Sequence, residues 1–391
     1  MTPLVQAEQA VLGALFLDPR QLIGLSGWLR PEHFDRPVHA ALYAAMLKLR
    51  AEGHLAATAG ADGPVPLAWI TDTVQEASGH TRGLTAVFPH LLVSACPRPE
   101  HAPIYGRMVL EGAIHRSVAL HAGRLHQAAL ADLRRGSVDE TVHHAQVLSD
   151  VLVELARVWG TEPRPVAPPD AYSLHPGRPH SVADQVLADE EFLLGCLSSH
   201  SEQLLDLVHW LRPDDFIDPG HQQIYRALRA LLHRGEPIDQ LTVLWEAQRR
   251  GALSDGTLDT DRVQRVCDPL VSGAAEHFGE QIVNASLVRT AATAARQVGA
   301  LADHEALAPG QLLDYALYAL GPLEDVRRRL RIAQGIEPGP SHADDRPGGP
   351  PPSSRTDAAL ARSHVADGSP VLAPTPSRAA PPARHNRRSP S

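Results

Sequence analysis

Apolar residues recur every three or four positions along most of the chain, which is the spacing of one face of an α-helix. Near the start, Thr2 and Pro3 form a helix-start signal, and Val5, Leu12 and Leu15 follow on one face. No segment alternates apolar and polar residues for long, and aromatic residues make up only 4% of the chain. The pattern therefore predicts an all-α protein.

Two long helices joined by a short turn are predicted in each half of the chain. In the first half, a helix over about 104–133 precedes a turn at Arg135-Gly136 and a second helix. In the second half, a helix over about 276–303 precedes a turn at Ala308-Pro309-Gly310. Such pairs form antiparallel helical hairpins. The second helices carry apolar stripes: Val142, Leu148, Leu152 and Leu155 in one, and Leu313, Leu317 and Leu320 in the other.

These stripes leave two interpretations open. The leucines either pack within their own hairpin and domain, or they form a docking surface for another hairpin. A hairpin that projects from a small domain has apolar area beyond what its own domain covers. The docking interpretation therefore stands beside the purely structural one.

The chain also repeats itself. Residues 8–53 and 190–235 align without a gap at an offset of 182, and 18 of the 46 aligned positions are identical. The match resumes at Tyr105-Gly106, which corresponds to Phe278-Gly279 at an offset of 173. The first copy therefore carries about nine extra residues, which we place in the Gly-rich and Pro-rich stretch 54–66. So long a period indicates two copies of one domain rather than a solenoid.

Proline and composition set the predicted domain boundaries. The segment from Glu162 to His180 contains six prolines and predicts an extended linker. The tail has almost no large apolar side chains, so we expect it to be disordered. The predicted parts are copy one over 1–159 (bundle 1–100, hairpin 104–158), the linker 160–183, copy two over 184–334 (bundle 184–273, hairpin 276–332) and the tail 335–391.

Several motifs recur in the same order in both copies. The first copy reads A-E-Q-A-V-L-G-A-L, W-L-R-P-E-H-F and H-x-x-x-Y; the second reads D-E-E-F-L-L-G-C-L, W-L-R-P-D-D-F, H-x-x-x-Y and G-E-P-I-D. Across about 300 residues the chain resembles the N-terminal domain of DnaB-type replicative helicases. The residues that carry the resemblance are Glu8, Gly13, Trp28, Pro31, Phe34, His39 and Tyr43, with Glu190, Gly195, Trp210, Pro213, Phe216, His221 and Tyr225 in the second copy.

The resemblance implies a small helical bundle followed by a helical hairpin in each copy. In that family the hairpins pair between subunits and form a collar, where primase and helicase-loader contacts are made. The resemblance thus predicts an interaction protein that docks on replicative helicase, primase or loader. Because both hairpins lie on one chain here, we expect an intramolecular pseudo-dimer, in which Leu148, Leu152 and Leu155 face Leu313, Leu317 and Leu320. Three such chains would imitate a six-domain collar.

A nucleotide-driven motor is not expected in these residues. Replicative helicases of this type have a motor whose phosphate-binding loop reads G-x-x-x-x-G-K-[ST]. The 391 residues contain one lysine, Lys48, in a predicted helix with no glycine loop before it. We therefore predict a non-enzyme with no catalytic residues, and keep an inactive helicase remnant as an alternative.

Charge argues against strong DNA binding. Residues 1–160 carry 13 basic and 15 acidic side chains, a net −2, and residues 184–334 carry 14 and 23, a net −9. A domain at −9 repels a phosphate backbone. The alternative, a nucleic-acid-binding accessory factor, rests on the tail residues Arg384, Arg387 and Arg388.

Metal and cofactor sites are not indicated by the 22 histidines and three cysteines. His39 and His221 precede a tyrosine by four residues on a core helix, so we interpret them as hydrogen-bonded structural residues. Glu8 and Glu190 are placed in first helical turns, where the helix dipole favours an anion. Because the cysteines are widely spaced, we interpret them as buried free thiols. With no signal-peptide pattern and no long apolar run, we expect a cytoplasmic protein without membrane contact.

We expect the purified chain neither to hydrolyse ATP nor to unwind a forked duplex, because no lysine-bearing glycine loop is present to hold the nucleotide phosphates. Phosphate release and strand separation should both stay at background, with a motor-containing replicative helicase as the positive control. ATP turnover that follows the chain through a further purification step would contradict this prediction.

Overall fold

A computed structural model describes six stretches of the chain, residues 2–57, 67–81, 84–85, 87–172, 184–267 and 273–338. Within these stretches the chain forms fourteen α-helices, short 3-10 turns and no β-strand, so the all-α prediction is confirmed. Residues 58–66 of the predicted insertion, 173–183 of the linker and 339–391 of the tail lie outside the described residues. The predicted domain boundaries stay predictions.

Seven helices lie in the described residues of the first copy. They are α1 (Pro3–Leu17), α2 (Leu22–Leu25), α3 (Pro37–Ala51), α4 (Leu67–Ser78), α5 (Phe88–Ala95), α6 (Ala102–Arg135) and α7 (Asp139–Trp159). Thr2 caps α1 by accepting a hydrogen bond from the Val5 N–H at 3.4 Å. Gly136 ends α6 with φ of 70°, a left-handed conformation that glycine adopts without strain, and α7 follows three residues later.

The part of the second copy that the structure describes also contains seven helices. They are α8 (Asp184–Ser199), α9 (Ser201–Leu207), α10 (Pro219–Arg234), α11 (Gln240–Arg249), α12 (Thr260–Val266), α13 (Ala275–Ala302) and α14 (Pro309–Ala333). The predicted turn at Ala308-Pro309-Gly310 was wrong in its detail. Pro309 is the first residue of α14 and Ala308 its N-cap, because proline suits the first helical position. Residues 303–308 therefore make the turn.

The two hairpins pack against each other in one apolar core. Helix α6 packs mainly against α13, and α7 packs against α14. Buried residues of both hairpins belong to a single hydrophobic cluster, among them Leu125 and Leu152 from the first copy and Leu287 and Leu313 from the second. The cluster continues into the bundle of the second copy, whereas most of the first bundle has a separate core.

Small side chains are frequent among the buried residues of α6 and α13. Ala122 and Ala129 on α6 are fully buried, as are Ala291 and Ala295 on α13. Small side chains allow packed helices to approach closely. Of the four hairpin helices, α6 and α13 make the most extensive contact, and α7 and α14 pack against them.

The segment after the first hairpin lies along the second one. Asp314 on α14 accepts two backbone hydrogen bonds from this segment, from Arg164 N–H to its side chain at 2.8 Å and from Val166 N–H to its carbonyl at 3.3 Å. Farther along, the Tyr172 ring meets the His304 ring edge-on at 5.1 Å. Residues 164–172 thus strap the first copy to the hairpin of the second.

We expect Leu152→Asp to separate the two hairpins while both bundles stay folded. Leu152 is fully buried in the four-helix core, and a carboxylate there has neither water nor a partner charge. Small-angle scattering should show a larger, two-body particle at unchanged helix content. Val153→Asp is the matched control, because Val153 is the next residue on α7 and is 51% exposed. A scattering curve for Leu152→Asp that equals the wild-type curve would show that the core does not hold the copies together.

Candidate interaction module and its signature residues

A buried glutamate links the first helix of each bundle to the third. In the first copy, Glu8 on α1 is fully buried and its carboxylate accepts hydrogen bonds from the backbone N–H groups of Asp35 and Arg36, the latter at 3.4 Å. His39 on α3 donates from Nδ1 to Glu8 Oε2 at 2.7 Å. The carboxylate thus accepts three hydrogen bonds, which compensate for the loss of water around it in the apolar core.

The second copy repeats this arrangement almost atom for atom. Glu190 on α8 accepts from the backbone N–H groups of Ile217 and Asp218 at 2.5 and 3.4 Å, and His221 Nδ1 donates to it at 2.8 Å. Arg262 on α12 adds a contact of 3.1 Å to His221 Nε2. The structural interpretation of both histidines fits these contacts.

The placement of the two glutamates in first helical turns was wrong. Helix α1 begins at Pro3, so Glu8 is its sixth residue, and α8 begins at Asp184, so Glu190 is its seventh. The dipole of their own helix therefore does not explain them. Each carboxylate instead lies just before the N-terminus of the third helix, where backbone N–H groups point outward and favour an anion.

The aromatic signature residues pack around the same junction. Tyr43 donates to the carbonyl oxygen of Leu29 at 3.3 Å, and the Phe34 ring lies 5.1 Å from its ring centre. Tyr225 and Phe216 repeat both contacts in the second copy at 3.2 and 5.0 Å. Burial raises the pKa of both tyrosines, so their hydroxyls stay protonated as donors.

Two glycines allow the bundles to lie against their hairpins. A Cβ at Gly106 on α6 would come within 2.9 Å of the Trp28 ring, and one at Gly279 on α13 within 2.6 Å of the Trp210 ring. A side chain at either glycine would therefore force the facing tryptophan ring to move. Gly13 serves a similar close approach, because a Cβ there would meet a backbone carbonyl of α5 at 2.2 Å.

The remaining signature residues have local roles. Pro31 and Pro213 each begin a short 3-10 turn, and Gly195 is buried within α8. Arg116 and Arg289, equivalent residues of α6 and α13, each donate to a carbonyl oxygen in the 3-10 turn of their own copy. These arginines tie each hairpin to its bundle.

A buried ion pair, which the sequence did not reveal, distinguishes the second copy. Arg329 on α14 donates with both terminal nitrogens to the Asp215 carboxylate, and Ser286 donates to the same carboxylate at 2.8 Å. Burial opposes the charge on Arg329, but its bonds to Asp215 and the nearby carboxylates raise its pKa further. The first copy has His33 and Ala156 at the equivalent positions, so only the second bundle is clamped this way.

His33 keeps one function of Asp215 without its charge. The backbone N–H of Arg30 donates to His33 Nδ1 at 3.1 Å, as that of Arg212 donates to Asp215 at 2.7 Å. Burial lowers the pKa of His33, which favours the neutral ring that can accept this bond. Sequence alignment alone gave no sign of the pair, because Asp215 and Arg329 are 114 residues apart.

The proposed pairing residues lie together on the inner faces of the hairpins. Four of them are buried in the shared core, namely Leu148, Leu152, Leu313 and Leu320. Three are half-buried and pack against it, namely Val142, Leu155 and Leu317. The face-to-face assignment of particular leucines stays a prediction.

A histidine also joins the two copies directly. His115 on α6 contacts the turn of the second hairpin, with Nδ1 at 2.9 Å from the carbonyl oxygen of Ala302 and Nε2 at 3.1 Å from that of Leu307. The equivalent position in the second copy is Val288, which is buried. The contact between copies is therefore not symmetric in detail.

Among the described residues, no group of three or more His, Cys, Asp or Glu side chains is arranged to hold a metal ion. All three cysteines are free; Cys196 and Cys267 are buried, while Cys96 is half-buried rather than buried as expected. Burial raises the pKa of the Cys267 thiol to about 11. None of the helices in the described part of the chain is long and apolar enough to cross a membrane.

A comparison with protein families finds one match within each copy. The DnaB-like helicase N-terminal domain matches residues 2–59 and, a second time, residues 182–266. Each of the two matched segments lies in one copy of the internal repeat, so both copies are similar to the DnaB-like helicase N-terminal domain. The matched segments include Glu8 and His39 in one copy and Glu190 and His221 in the other, so the buried junction lies within the family pattern.

Similar proteins are replicative helicases, matched over part of their length. The replicative DNA helicase DnaB of Mycobacterium leprae is 42% identical over 69 residues, 18% of this chain and 11% of that protein. That of Geobacillus stearothermophilus is 34% identical over 113 residues, which make up 29% of this chain and 23% of that protein. That of Rhodothermus marinus is 29% identical over 108 residues, which make up 28% of this chain and 11% of that protein. The chain thus matches less than a quarter of each relative.

We expect Arg329→Ala to destabilise the chain by about 3–5 kcal/mol, because it leaves the buried Asp215 carboxylate without its partner charge. Urea unfolding followed by circular dichroism measures this loss. Arg328→Ala is the matched control, since the neighbouring Arg328 makes an exposed ion pair with Asp325 and such pairs contribute little. Equal losses in the two variants would show that the buried pair has no special role.

Proposed function

We propose that the chain is a non-catalytic docking module of the DNA-replication machinery, which binds the replicative helicase, the primase or the helicase loader. The N-terminal domain of DnaB-type helicases is a collar domain that mediates protein interactions in replication, and both copies in this chain are similar to it. The relatives that it matches are replicative helicases, and the matches cover a small part of each.

The observation that carries the proposal is the shared core of the two hairpins. Helices α6 and α7 of one copy pack with α13 and α14 of the other, so the pairing surface of each copy is satisfied within one chain. Because the two hairpins are joined by one linker, each has an effective concentration of about millimolar near the other, so even a weak interaction between them forms within one chain. The chain therefore acts as a ready-made pair of collar domains, and three chains would present six such domains.

Lys48 supports a role without nucleotide chemistry. It lies on the exposed side of α3, where its Nζ contacts Glu76 at 2.8 Å and Glu52 at 4.0 Å. A phosphate-binding lysine follows a glycine loop at the start of a helix, whereas Lys48 lies in the last turn of α3. The sole lysine of these residues is thus a partner in surface ion pairs.

Two alternatives compete with this proposal. A nucleic-acid-binding accessory factor would use the tail arginines 384, 387 and 388, which lie outside the described residues, and it would have to overcome the net −9 of residues 184–334. An inactive helicase remnant would bind none of these partners.

Binding measurements with purified components distinguish these functions. We expect the chain to bind at least one of the helicase, primase and loader from its own host, with Val153→Asp as a folded control that binds equally well. DNA binding should be weak at about 0.15 M salt, where the Debye length is about 8 Å, and should disappear when residues 335–391 are removed. Failure to bind all three proteins, together with tight DNA binding by the full chain that is lost when residues 335–391 are removed, would overturn the proposal in favour of the first alternative.

A further inference from the structure

One histidine side chain joins the two copies through both of its ring nitrogens. His115 on α6 has Nδ1 2.9 Å from the carbonyl oxygen of Ala302 and Nε2 3.1 Å from that of Leu307. Carbonyl oxygens only accept hydrogen bonds. The neutral imidazole ring carries one N–H and can donate to one of them, whereas the imidazolium ring carries two and can donate to both.

Two other histidines have contacts that suit a neutral ring. Nε2 of His221 accepts from the Arg262 guanidinium at 3.1 Å, and Nδ1 of His54 accepts from the backbone N–H of Ala56 at 3.2 Å. Guanidinium and backbone N–H groups only donate, so each of these rings needs one unprotonated nitrogen. His115 is the opposite case, because both of its nitrogens face acceptors.

The two carbonyl oxygens lie where the second hairpin turns. Ala302 is the last residue of α13, and Leu307 lies two residues before α14 begins. The last carbonyl groups of a helix lack partners within that helix, and the helix dipole favours a cation beside them. A protonated His115 therefore suits this position both as a double donor and as a positive charge.

The internal repeat sets this contact apart from its counterpart in the first hairpin. At the offset of 173, Ala302 corresponds to Ala129, but α6 continues past Ala129 to Arg135. The hairpin helix of the first copy is therefore still regular where that of the second has ended. Val288, the counterpart of His115, is buried and has no polar group to donate. The histidine thus lies on the copy that faces the early helix end.

On α6 itself, the charge that shares the face of His115 is negative. Glu111 lies one turn earlier, and an anion at that spacing favours the imidazolium ring. The neighbouring Arg116 is directed to the first bundle, where it donates to the carbonyl oxygen of His33 at 2.7 Å. Helix α1 also packs against α6, but its one charged side chain, Glu8, is held by the donors of its own bundle.

The other elements packed against this part of the chain carry more carboxylates than arginines. The turn of the second hairpin holds two exposed carboxylates and one histidine, whose ring lies against Tyr172. The groups are Asp303, His304 and Glu305 in the turn, Arg296 on α13, Asp314 on α14, and Glu154 and Arg157 on α7, which pair with each other. The surrounding charge therefore also favours a protonated ring.

We propose that His115 is a proton-dependent latch between the two copies, which holds the turn 303–308 to α6 when the ring is protonated and loosens when it is neutral. The neutral ring leaves one of the two carbonyl oxygens without its donor. The contact is therefore strongest at low pH and weakens as the pH rises through the range in which histidine releases its proton, ordinarily about pH 6.5. The latch does not depend on the proposed function, because it concerns contacts within one chain.

Amide hydrogen exchange of the full chain, followed by mass spectrometry of peptides that cover 303–308, tests the latch. His115→Gln keeps a polar side chain but never carries a charge, and comparison with the wild type at the same pH cancels the intrinsic pH dependence of exchange. We expect the wild-type turn to exchange about tenfold more slowly than that of the variant at pH 5.5, and at nearly the same rate at pH 8.

His121→Gln is the matched control. His121 lies on the same helix, but its Nδ1 contacts a carbonyl oxygen of its own helix, that of Ser117, at 2.8 Å. This variant should protect the turn as the wild type does at both pH values. If circular dichroism shows that His115→Gln has lost helix, His115→Asn takes its place as the uncharged variant.

Nitrogen-15 NMR of the histidine rings reads the proton directly, since the signals of His115 are those that disappear in the uncharged variant. Both ring nitrogens should show imidazolium shifts while the turn is protected, and their change to neutral shifts should coincide with the loss of protection. A turn whose protection relative to the uncharged variant is the same at pH 5.5 and pH 8, or a ring that becomes neutral with no change in protection, would overturn the proposal.

Discussion

The close packing of α6 against α13 is the constraint on which the rest of the structure depends. The buried residues of these two long helices include several alanines, and α7 and α14 pack against both with further buried leucines. Buried apolar area stabilises such a core in proportion to the surface removed from water. The two copies thereby form one compact unit, in which their hairpins cover each other's apolar faces.

A second constraint fixes how each bundle is attached to that core. The buried glutamate and histidine of each copy hold the first helix to the start of the third, and the tryptophan of each copy lies against a glycine on the hairpin helix. In the second copy the Arg329–Asp215 pair adds a further clamp between α14 and the bundle. The second bundle is therefore fixed to the shared core more firmly than the first, whose own core is largely separate.

The internal repeat made most of the fold predictable. It identified two copies, their helical class and the residues, such as Glu8 and Glu190, that occupy equivalent positions in both. The α6–α13 contact could not be predicted, because many buried positions of these helices are alanines, which give a weak amphipathic signal, whereas the leucines of α7 and α14 form clear stripes. The Asp215–Arg329 pair was missed because it joins residues far apart in sequence and has no counterpart in the first copy.

Cutting the linker tests most directly whether the two copies form one unit through their hairpins. A protease site introduced between residues 173 and 183 would allow the chain to be cleaved after folding, with the wild-type core intact. We expect both fragments to migrate together as a one-to-one complex on dilution, and to separate when Leu152→Asp is also present. Fragments that separate immediately after cleavage of the otherwise wild-type chain would contradict the account.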